Sequence, residues 1–138
     1  IVDNVFAPPP IQQPLALGAD IVMYSTTKHL DGQGRTLGGA ILARRKFIED
    51  VLTPFCRHTG PHMSPFNAWV LLKSLETLPL RVERHCSNAA RLAEVLSTHG
   101  KAANVCYPGL KNHKQYALAK RQMSSGGPMI ALELKGGK

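Results

Sequence analysis

One lysine in the first third of the chain stands out by its type and position. Lys28 lies in the stretch YSTTKH at 24–29, directly after the apolar run 21–23, and Arg35 is the only other Lys or Arg among the first 43 residues. Ligands of open α/β sheets bind beyond the carboxyl ends of the strands. A lysine placed there among few other cations is suited to Schiff-base chemistry. The alternative is an ordinary solvent-exposed loop lysine.

Two hydroxyl residues with a spacing of two precede this lysine. If the strand that begins near Ile21 continues through Thr27, Ser25 and Thr27 point to the same side, because side chains alternate along a strand. Both side chains can donate hydrogen bonds to an anion such as phosphate. We therefore predict an anion site at Ser25 and Thr27, beside Lys28.

A carboxylate in the first apolar segment is the other unusual feature. Asp3 lies inside IVDNVF at 1–6, a segment that predicts a buried strand, and an unpaired carboxylate is costly to bury. Two interpretations remain open. Asp3 either lies at the end of the strand and accepts hydrogen bonds from backbone amides of the next turn, or it is a buried anion that faces a cationic group of a ligand.

A sheet is needed to position these residues. Short apolar runs bounded by turn residues predict strands at 1–6, 21–24 and 39–43. The segment 11–17, which is followed by Gly18, predicts a short helix with a glycine cap. Strand, helix and strand in this order predict a parallel sheet.

Helical patterns dominate the middle of the chain. A first helix is expected to end at Thr-Gly-Pro 59–61, and Ser64 followed by Pro65 predicts the start of another. The latter helix should bury an apolar stripe in the core. After a break at Pro79, a second long helix is expected to run to Gly100 with its own stripe. The two stripes are Phe66, Trp69, Val70, Leu72 and Leu75, and Val82, Cys86, Ala89, Ala93 and Leu96.

The last part of the chain predicts a smaller α+β arrangement. A short strand is expected near 105–107, a helix near 116–123, and a strand within 129–134, where apolar residues alternate with Glu133. The fold class is therefore α/β to about residue 80 and helix-led α+β beyond it.

Two other clusters invite a functional interpretation that their spacing does not support. The glycine-rich stretch 31–39 lacks the third glycine of a dinucleotide loop and has no Gly-Lys-Ser/Thr, so it predicts a turn. Cys56, His58 and His62 have no second ligand pair with zinc-site spacing, so we predict no metal site.

The composition restricts the partners and the location. The chain of 138 residues has a net charge of +8, which raises a basic nucleic-acid-binding module as the alternative class of function. Only 6% of residues are aromatic, however, and base stacking needs aromatic side chains. No apolar run approaches the roughly 20 residues that cross a bilayer. Three widely spaced cysteines favour a reducing cytoplasm over a disulfide framework.

The chain resembles the Cys/Met-metabolism family of pyridoxal-phosphate enzymes, which have the aspartate-aminotransferase-like (type I) fold. The resemblance rests on VDNVFAPPPIQQPLALGADIVMYSTTKH, GGAIL, GPHMSPFNAWVLLKSLETLPLRVERHCSNAARLAEVL, YPGL and LAKRQMSSGGPMIALEL. It implies that residues 1–80 are the end of the large cofactor-binding domain with its connecting helix. Residues 81–138 would be the start of the small C-terminal domain.

The resemblance also implies roles for the candidate residues. Lys28 would form the Schiff base with pyridoxal 5'-phosphate and later shuttle protons. Ser25 and Thr27 would bind the cofactor phosphate, and Asp3 would pair with the pyridine nitrogen and keep it protonated, which makes the ring an electron sink.

Within the family, HLDGQGRTLGG at 29–39 resembles the O-succinylhomoserine sulfhydrylase branch. This implies γ-replacement on O-succinyl-L-homoserine with sulfide to give homocysteine, in a dimer of dimers that binds neither nucleic acid nor membrane. The alternatives within the family are cystathionine γ-synthase, cystathionine γ-lyase, methionine γ-lyase and O-acetylhomoserine sulfhydrylase chemistry. The resemblance further implies that this chain is a fragment and is inactive alone.

Overall fold

The computed structural model describes residues 1–136. In chain order, its elements are β1 (Val2–Asp3), β2 (Ile21–Ser25), a π-helical turn (Thr26–Leu30), β3 (Gly39–Ala43), α1 (Arg45–Phe47), a π-helical segment (Ile48–Leu52), α2 (Thr53–Thr59), α3 (Pro65–Leu75), α4 (Leu78–Ser97), β4 (Ala102–Cys106), α5 (Tyr116–Gln122) and β5 (Ala131–Leu134).

The first sheet has the strand order β1-β2-β3. Strand β1 is parallel to β2, with Asp3 opposite Met23, as predicted. Strand β3, for which no direction was predicted, is antiparallel to β2, with Gly39 opposite Ser25, so the sheet is mixed. The physical reason is the connection: a helical turn and a glycine-rich loop reverse the chain instead of crossing over the sheet with a full helix.

The N-terminal segment is less regular than its apolar pattern predicts. Strand β1 covers only two residues, and Phe6 is 60% exposed, so a buried strand over 1–6 is wrong. The expected helix at 11–17 is a series of turns, in which the amide of Ile11 donates to the carbonyl of Pro8 (2.7 Å) and that of Leu17 to Pro14 (3.0 Å). Prolines at 8, 9, 10 and 14 lack the amide donors that a helix requires.

The helix boundaries follow the local signals. Gly60 ends α2 with φ of +88°, a left-handed conformation that favours glycine. The amide of Asn67 donates to Ser64 Oγ (3.2 Å), which caps α3, and Pro65 occupies its first turn. The predicted break at Pro79 is also confirmed, since Pro79 lies in the first turn of α4.

Helix α4 carries a continuous buried stripe that packs on both sheets. Val82 and Cys86 belong to a core cluster with Val22 and Tyr24 of the first sheet. Ala89 and Ala93 belong to a second cluster with Tyr107, which follows β4. The stripe is therefore confirmed over these positions. The predicted domain boundary between residues 80 and 81 falls inside this helix and stays a prediction.

The predicted burial of the α3 stripe is confirmed for Val70 and is wrong for its other members. Phe66, Trp69 and Leu72 are 68%, 55% and 60% exposed, whereas Val70 and Leu71 are buried. Hydrophobic periodicity identifies an apolar face, but the face that packs is decided by which neighbour is present. Helix α3 turns Val70, Leu71 and Ser74 inward.

Strands β4 and β5 form a separate antiparallel pair, with Cys106 opposite Ala131. The predicted helix near 116–123 is confirmed as α5. Among the described helices, none combines the length and apolar character that crossing a membrane requires.

Candidate active site

The four candidate residues lie at the carboxyl ends of two neighbouring parallel strands. Asp3 is the last residue of β1 and Ser25 the last residue of β2. Thr27 and Lys28 lie in the turn that follows β2. This is the edge at which α/β sheets bind ligands, so the topology brings the candidates to one end of one strand pair.

The alternation of side chains places two of them on the same face. Val22 and Tyr24 are buried against the core, whereas Met23 between them is 40% exposed. Asp3 lies opposite Met23 in the parallel register. Because paired residues share a face and successive residues alternate, Asp3, Met23 and Ser25 all point to the open face of the sheet.

Lys28 lies at a kink in its turn. Its backbone angles are φ −86° and ψ −117°, which are not helical, although the flanking residues continue the turn. Its side chain is exposed. Within residues 1–136, its amine makes neither a hydrogen bond nor an ion pair, which leaves the nitrogen available to a ligand.

Asp3 lies at the end of its strand and bonds to the next turn, which is one of the two interpretations left open by the sequence. The carboxylate is exposed, and its Oδ1 accepts a hydrogen bond from the amide of Val5 (3.2 Å) in the turn after β1. The alternative of a buried carboxylate does not hold within residues 1–136, because the strand ends at Asp3. Its proposed contact with a ligand cation stays a prediction.

The geometric argument for Thr27 is also wrong. The strand ends at Ser25 and the chain turns at Thr26, so strand alternation does not relate Ser25 to Thr27. Instead, Thr27 Oγ1 accepts a hydrogen bond from the amide of Gly38 (3.1 Å), which ties the turn to the start of β3. The same hydroxyl donates to the Gly38 carbonyl oxygen over a long distance (3.5 Å), so an anion would have to compete with this weak bond and the anion contact of Thr27 stays a prediction.

The glycine-rich loop contains a buried ionic cluster that the sequence analysis missed. Asp31 is completely buried. Its Oδ1 accepts from Arg35 Nε (3.0 Å) and Nη2 (2.9 Å), and its Oδ2 accepts from the Arg35 amide (2.6 Å). Arg35 Nη2 also donates to Ser74 Oγ (2.6 Å) on α3. The spacing of Asp31 and Arg35, four residues apart in a glycine-rich turn, was the sequence signal that could have indicated this ion pair.

These contacts determine the ionisation of Asp31. Burial acts to raise the pKa of its carboxyl. The hydrogen bonds and positive charge of Arg35, together with the Ser74 hydroxyl, lower the pKa by a larger amount, so the net pKa is below the ordinary value. Asp31 is therefore held as an anion inside the loop that follows Lys28.

Arg81 is the second residue that the sequence analysis missed as a contact of the site. Its guanidinium donates to the carbonyl oxygens of His29 (Nη1, 2.9 Å) and Leu30 (Nη2, 3.2 Å). These partners are more than fifty positions away in sequence, so no local pattern could reveal them.

His29 is affected by the same surroundings. Partial burial lowers the pKa of its imidazole, and the positive charges of His85 and Arg81 lower it further. The rings of His29 and His85 are 6.3 Å apart. His29 is thus biased toward the neutral form beside Lys28.

The other predicted groups do not converge. Within residues 1–136, no group of three or more His, Cys, Asp or Glu side chains is placed to hold a metal ion. Cys56, Cys86 and Cys106 are free thiols.

A groove of about 570 Å³ extends from Met23 and Gly39 to Cys56 and Met63, next to the strand that carries Ser25.

Comparisons with known proteins identify the family. Residues 1–138 match the family described as Cys/Met metabolism PLP-dependent enzyme. The chain is 55% identical over 134 residues to an O-succinylhomoserine sulfhydrylase of Mycobacterium tuberculosis (strain ATCC 25618 / H37Rv), which covers 97% of this chain and 33% of the relative. An O-succinylhomoserine sulfhydrylase of Pseudomonas aeruginosa is 47% identical over 137 residues, covering 99% of this chain and 34% of the relative.

A solved structure gives the same result for the fold. The cystathionine gamma synthase from Xanthomonas oryzae pv. oryzae, in complex with aminoacrylate and cysteine, matches with a TM-score of 0.95 and 41% identity. That match covers 99% of this chain and 35% of the other, and the chain spans about a third of the length of the curated relatives above.

The class follows from the fold and from the lysine turn at the end of the parallel strand pair: this is part of the type I fold of pyridoxal-phosphate-dependent enzymes. The chain belongs to the Cys/Met metabolism PLP-dependent enzyme family. The predictions of family and fold class are confirmed.

Proposed function

We propose that this chain is part of a pyridoxal-phosphate-dependent enzyme that replaces the γ-substituent of O-succinyl-L-homoserine with sulfide to give homocysteine. The observation that carries the proposal is the exposed Lys28 amine, which has no partner within residues 1–136 and lies at the carboxyl ends of β1 and β2. A primary amine in this state is suited to a covalent bond with an aldehyde.

The neighbouring groups fit the same cofactor. Asp3 presents a carboxylate on the open face, where it would hold the protonated pyridine nitrogen. The hydroxyls of Ser25 and Thr27 would donate to the phosphate, and the Lys28 amine would move protons at the substrate's Cα and Cβ. When bound, pyridoxal phosphate supplies the electron sink for the carbanion.

The choice of substrate is supported by the names of two relatives. Both curated proteins reported above are O-succinylhomoserine sulfhydrylases, at 55% and 47% identity, while the matched structure is a cystathionine gamma synthase at 41%. The competing activities are γ-elimination, as a γ-lyase performs it, and γ-replacement on the acetyl ester. They differ in the leaving group, in the nucleophile, or in whether a nucleophile adds at all.

The first experiment tests the amine. The full-length protein that carries this sequence would be loaded with pyridoxal phosphate, reduced with borohydride, digested and analysed by mass spectrometry. The cofactor mass is expected on Lys28 and absent from the Lys28→Ala variant, and a control variant Lys46→Ala should keep it. An adduct on another lysine, or none, contradicts the proposal. Salt-sensitive binding of oligonucleotides without an adduct would instead support the basic-module alternative.

The second experiment tests the substrate. Purified protein would be assayed with O-succinyl- and O-acetyl-L-homoserine, each with sulfide or cysteine, while homocysteine, cystathionine and 2-oxobutanoate are measured. Homocysteine from the succinyl ester and sulfide is expected to give the highest kcat/KM. Dominant cystathionine formation or 2-oxobutanoate release would assign one of the competing activities.

The proposal extends to assembly and location. We infer that the full-length protein is a dimer of dimers in the cytoplasm, and that these 138 residues alone have little or no turnover. Light scattering of the full-length protein tests the assembly, and an assay of the isolated chain tests the statement on turnover.

A further inference from the structure

We propose that Arg81 is a positioning residue for the Lys28 amine, because it fixes the backbone of the turn that presents this side chain. The inference rests on the proposed function, since it assigns Arg81 a role toward the amine that would bind the cofactor. It follows from three consecutive carbonyl groups, those of residues 28, 29 and 30.

All three carbonyl oxygens accept hydrogen bonds from donors that lie outside the turn Thr26–Leu30. The Lys28 carbonyl accepts from the amide of Gly32 (2.7 Å). The carbonyls of His29 and Leu30 accept from the Arg81 guanidinium at 2.9 and 3.2 Å. The carbonyls that end a helical turn lack intrahelical donors, and the planar fork of an arginine can serve two of them together.

Arg81 is itself fixed at the junction of α3 and α4. Its Nη2 also donates to the Ser74 carbonyl (2.9 Å), and its Nε donates to Thr77 Oγ1 (3.1 Å). The adjacent Val82 is 2% exposed and anchors this part of α4 in the core. The turn that carries Lys28 is thereby tied to the packed helices rather than only to its own strand.

The opposite end of the turn is fixed independently. The amide of Thr26 donates to the Gly38 carbonyl (2.9 Å), and Thr27 Oγ1 accepts from the Gly38 amide. The backbone on both sides of Lys28 is therefore held, while the side chain remains free. This arrangement limits the positions of the amine without occupying its nitrogen, which is what a positioned nucleophile requires.

The contact also explains a glycine in the loop. Gly32 has φ of +73°, a conformation that favours glycine, and a Cβ at this position would overlap the Arg81 guanidinium. Any other residue here would force the guanidinium to move away from the position in which it contacts the turn.

The test compares Arg81→Met with Arg84→Met in the full-length protein. Arg84 is an exposed residue of the same helix, so the control removes the same charge. In the cofactor-free proteins, hydrogen exchange at amides 29–32 is expected to be about tenfold faster for Arg81→Met and unchanged for Arg84→Met. Arg81→Lys, which retains the charge but lacks the fork, should lie between them.

The second readout is the rate at which added pyridoxal phosphate becomes trapped on Lys28 by borohydride. We expect about a 10-fold to 100-fold decrease for Arg81→Met, partial recovery for Arg81→Lys, and a wild-type rate for Arg84→Met. Wild-type exchange and trapping in Arg81→Met would overturn the inference. Faster exchange at 29–32 with unchanged trapping would overturn it too, because Arg81 would then have only a structural role.

The failure of the proposed function is distinguishable from these outcomes. If the wild-type protein itself forms no adduct on Lys28, both the function and this inference are overturned. If the wild type forms the adduct and Arg81→Met behaves like it, only the role of Arg81 is overturned.

Discussion

Asp3 and Asp31 are two carboxylates near the same turn with opposite surroundings. Asp3 ends β1, is exposed and accepts one hydrogen bond from a backbone amide. Asp31 is fully buried and is held by Arg35, which also contacts Ser74. The apolar neighbours of Asp3 had left burial of its carboxylate open, whereas Asp31 lies in a polar, glycine-rich stretch. The difference teaches that burial depends on the partners a chain reversal brings together, and not on the hydrophobicity of adjacent residues.

The comparison also separates two kinds of contribution. Asp31 makes its interactions within the chain, so its removal should affect stability. Asp3 leaves most of its hydrogen-bonding capacity unused within residues 1–136 and should affect the reaction more than the fold.

The largest expected effect is on stability at Asp31. Asp31→Asn removes the charge and leaves Arg35 and Ser74 with a poorer partner, so we expect the free energy of unfolding to fall by about 2–4 kcal/mol. The Arg35 side chain is 42% exposed, and its access to water keeps the loss below that of a fully buried pair. Denaturant unfolding of the cofactor-free full-length protein measures this. A change below about 0.5 kcal/mol, the usual range for surface positions, would abolish the distinction from Asp3.

The pH dependence should show the same contrast. The pKa of Asp31 is lowered from its ordinary value of 3.8 in the folded protein. Its stabilising contribution is therefore complete above that value and is lost as the pH falls through the lower folded pKa. As the pH falls through 3.8 and below, stability should fall less steeply in Asp31→Asn than in the wild type. Parallel curves for the two proteins would show that the ion pair does not contribute.

A smaller loss is expected at Ser74. Ser74→Ala removes the hydroxyl that accepts from Arg35 Nη2 and leaves the direct Asp31–Arg35 pair in place. We expect a decrease of about 1 kcal/mol in unfolding free energy. In the double variant Asp31→Asn/Ser74→Ala, the loss should be less than the sum of the single losses, because both substitutions remove contacts of one network. Strict additivity would contradict a shared network.

The smallest stability effect is expected at Asp3. Asp3→Asn keeps the shape and the oxygen that accepts from Val5, so its unfolding free energy should stay within about 0.5 kcal/mol of the wild type. Turnover of O-succinyl-L-homoserine should nevertheless fall, because Asn cannot hold a protonated pyridine nitrogen as a carboxylate does. Unchanged kcat together with unchanged stability would leave Asp3 without the proposed role.

Local signals were sufficient for much of the fold. The apolar runs located β2 and β3, Ser64 and Pro65 located the start of α3, and the four-and-three spacing located the buried face of α4. These features depend on residues within a few positions of one another. The sequence could therefore predict them without knowledge of the tertiary contacts.

The errors occurred where distant contacts decide the outcome. The length of β1 depends on its pairing with β2, and the exposed face of α3 depends on what packs beside it. Lys28 could be singled out because it follows a strand in a segment with few cations. The Asp31–Arg35 pair has an i, i+4 spacing that could have indicated it, whereas the contacts of Asp31 with Ser74 on α3 and of Arg81 with the turn span 43 and about 50 positions and have no local signal.

Helix α4 sets a fixed spacing between the two sheets. Val82 faces the first sheet and Ala89 the second cluster, and seven residues at about 1.5 Å each put roughly 10 Å between them along the axis. One residue inserted between these positions would rotate Ala89 and Ala93 by about 100° around the helix and remove them from Tyr107. Inserting a whole turn would restore the rotation but would lengthen the spacing by about 5.4 Å, so an insertion of any length displaces one of the two contacts and this segment is a poor place for natural insertions.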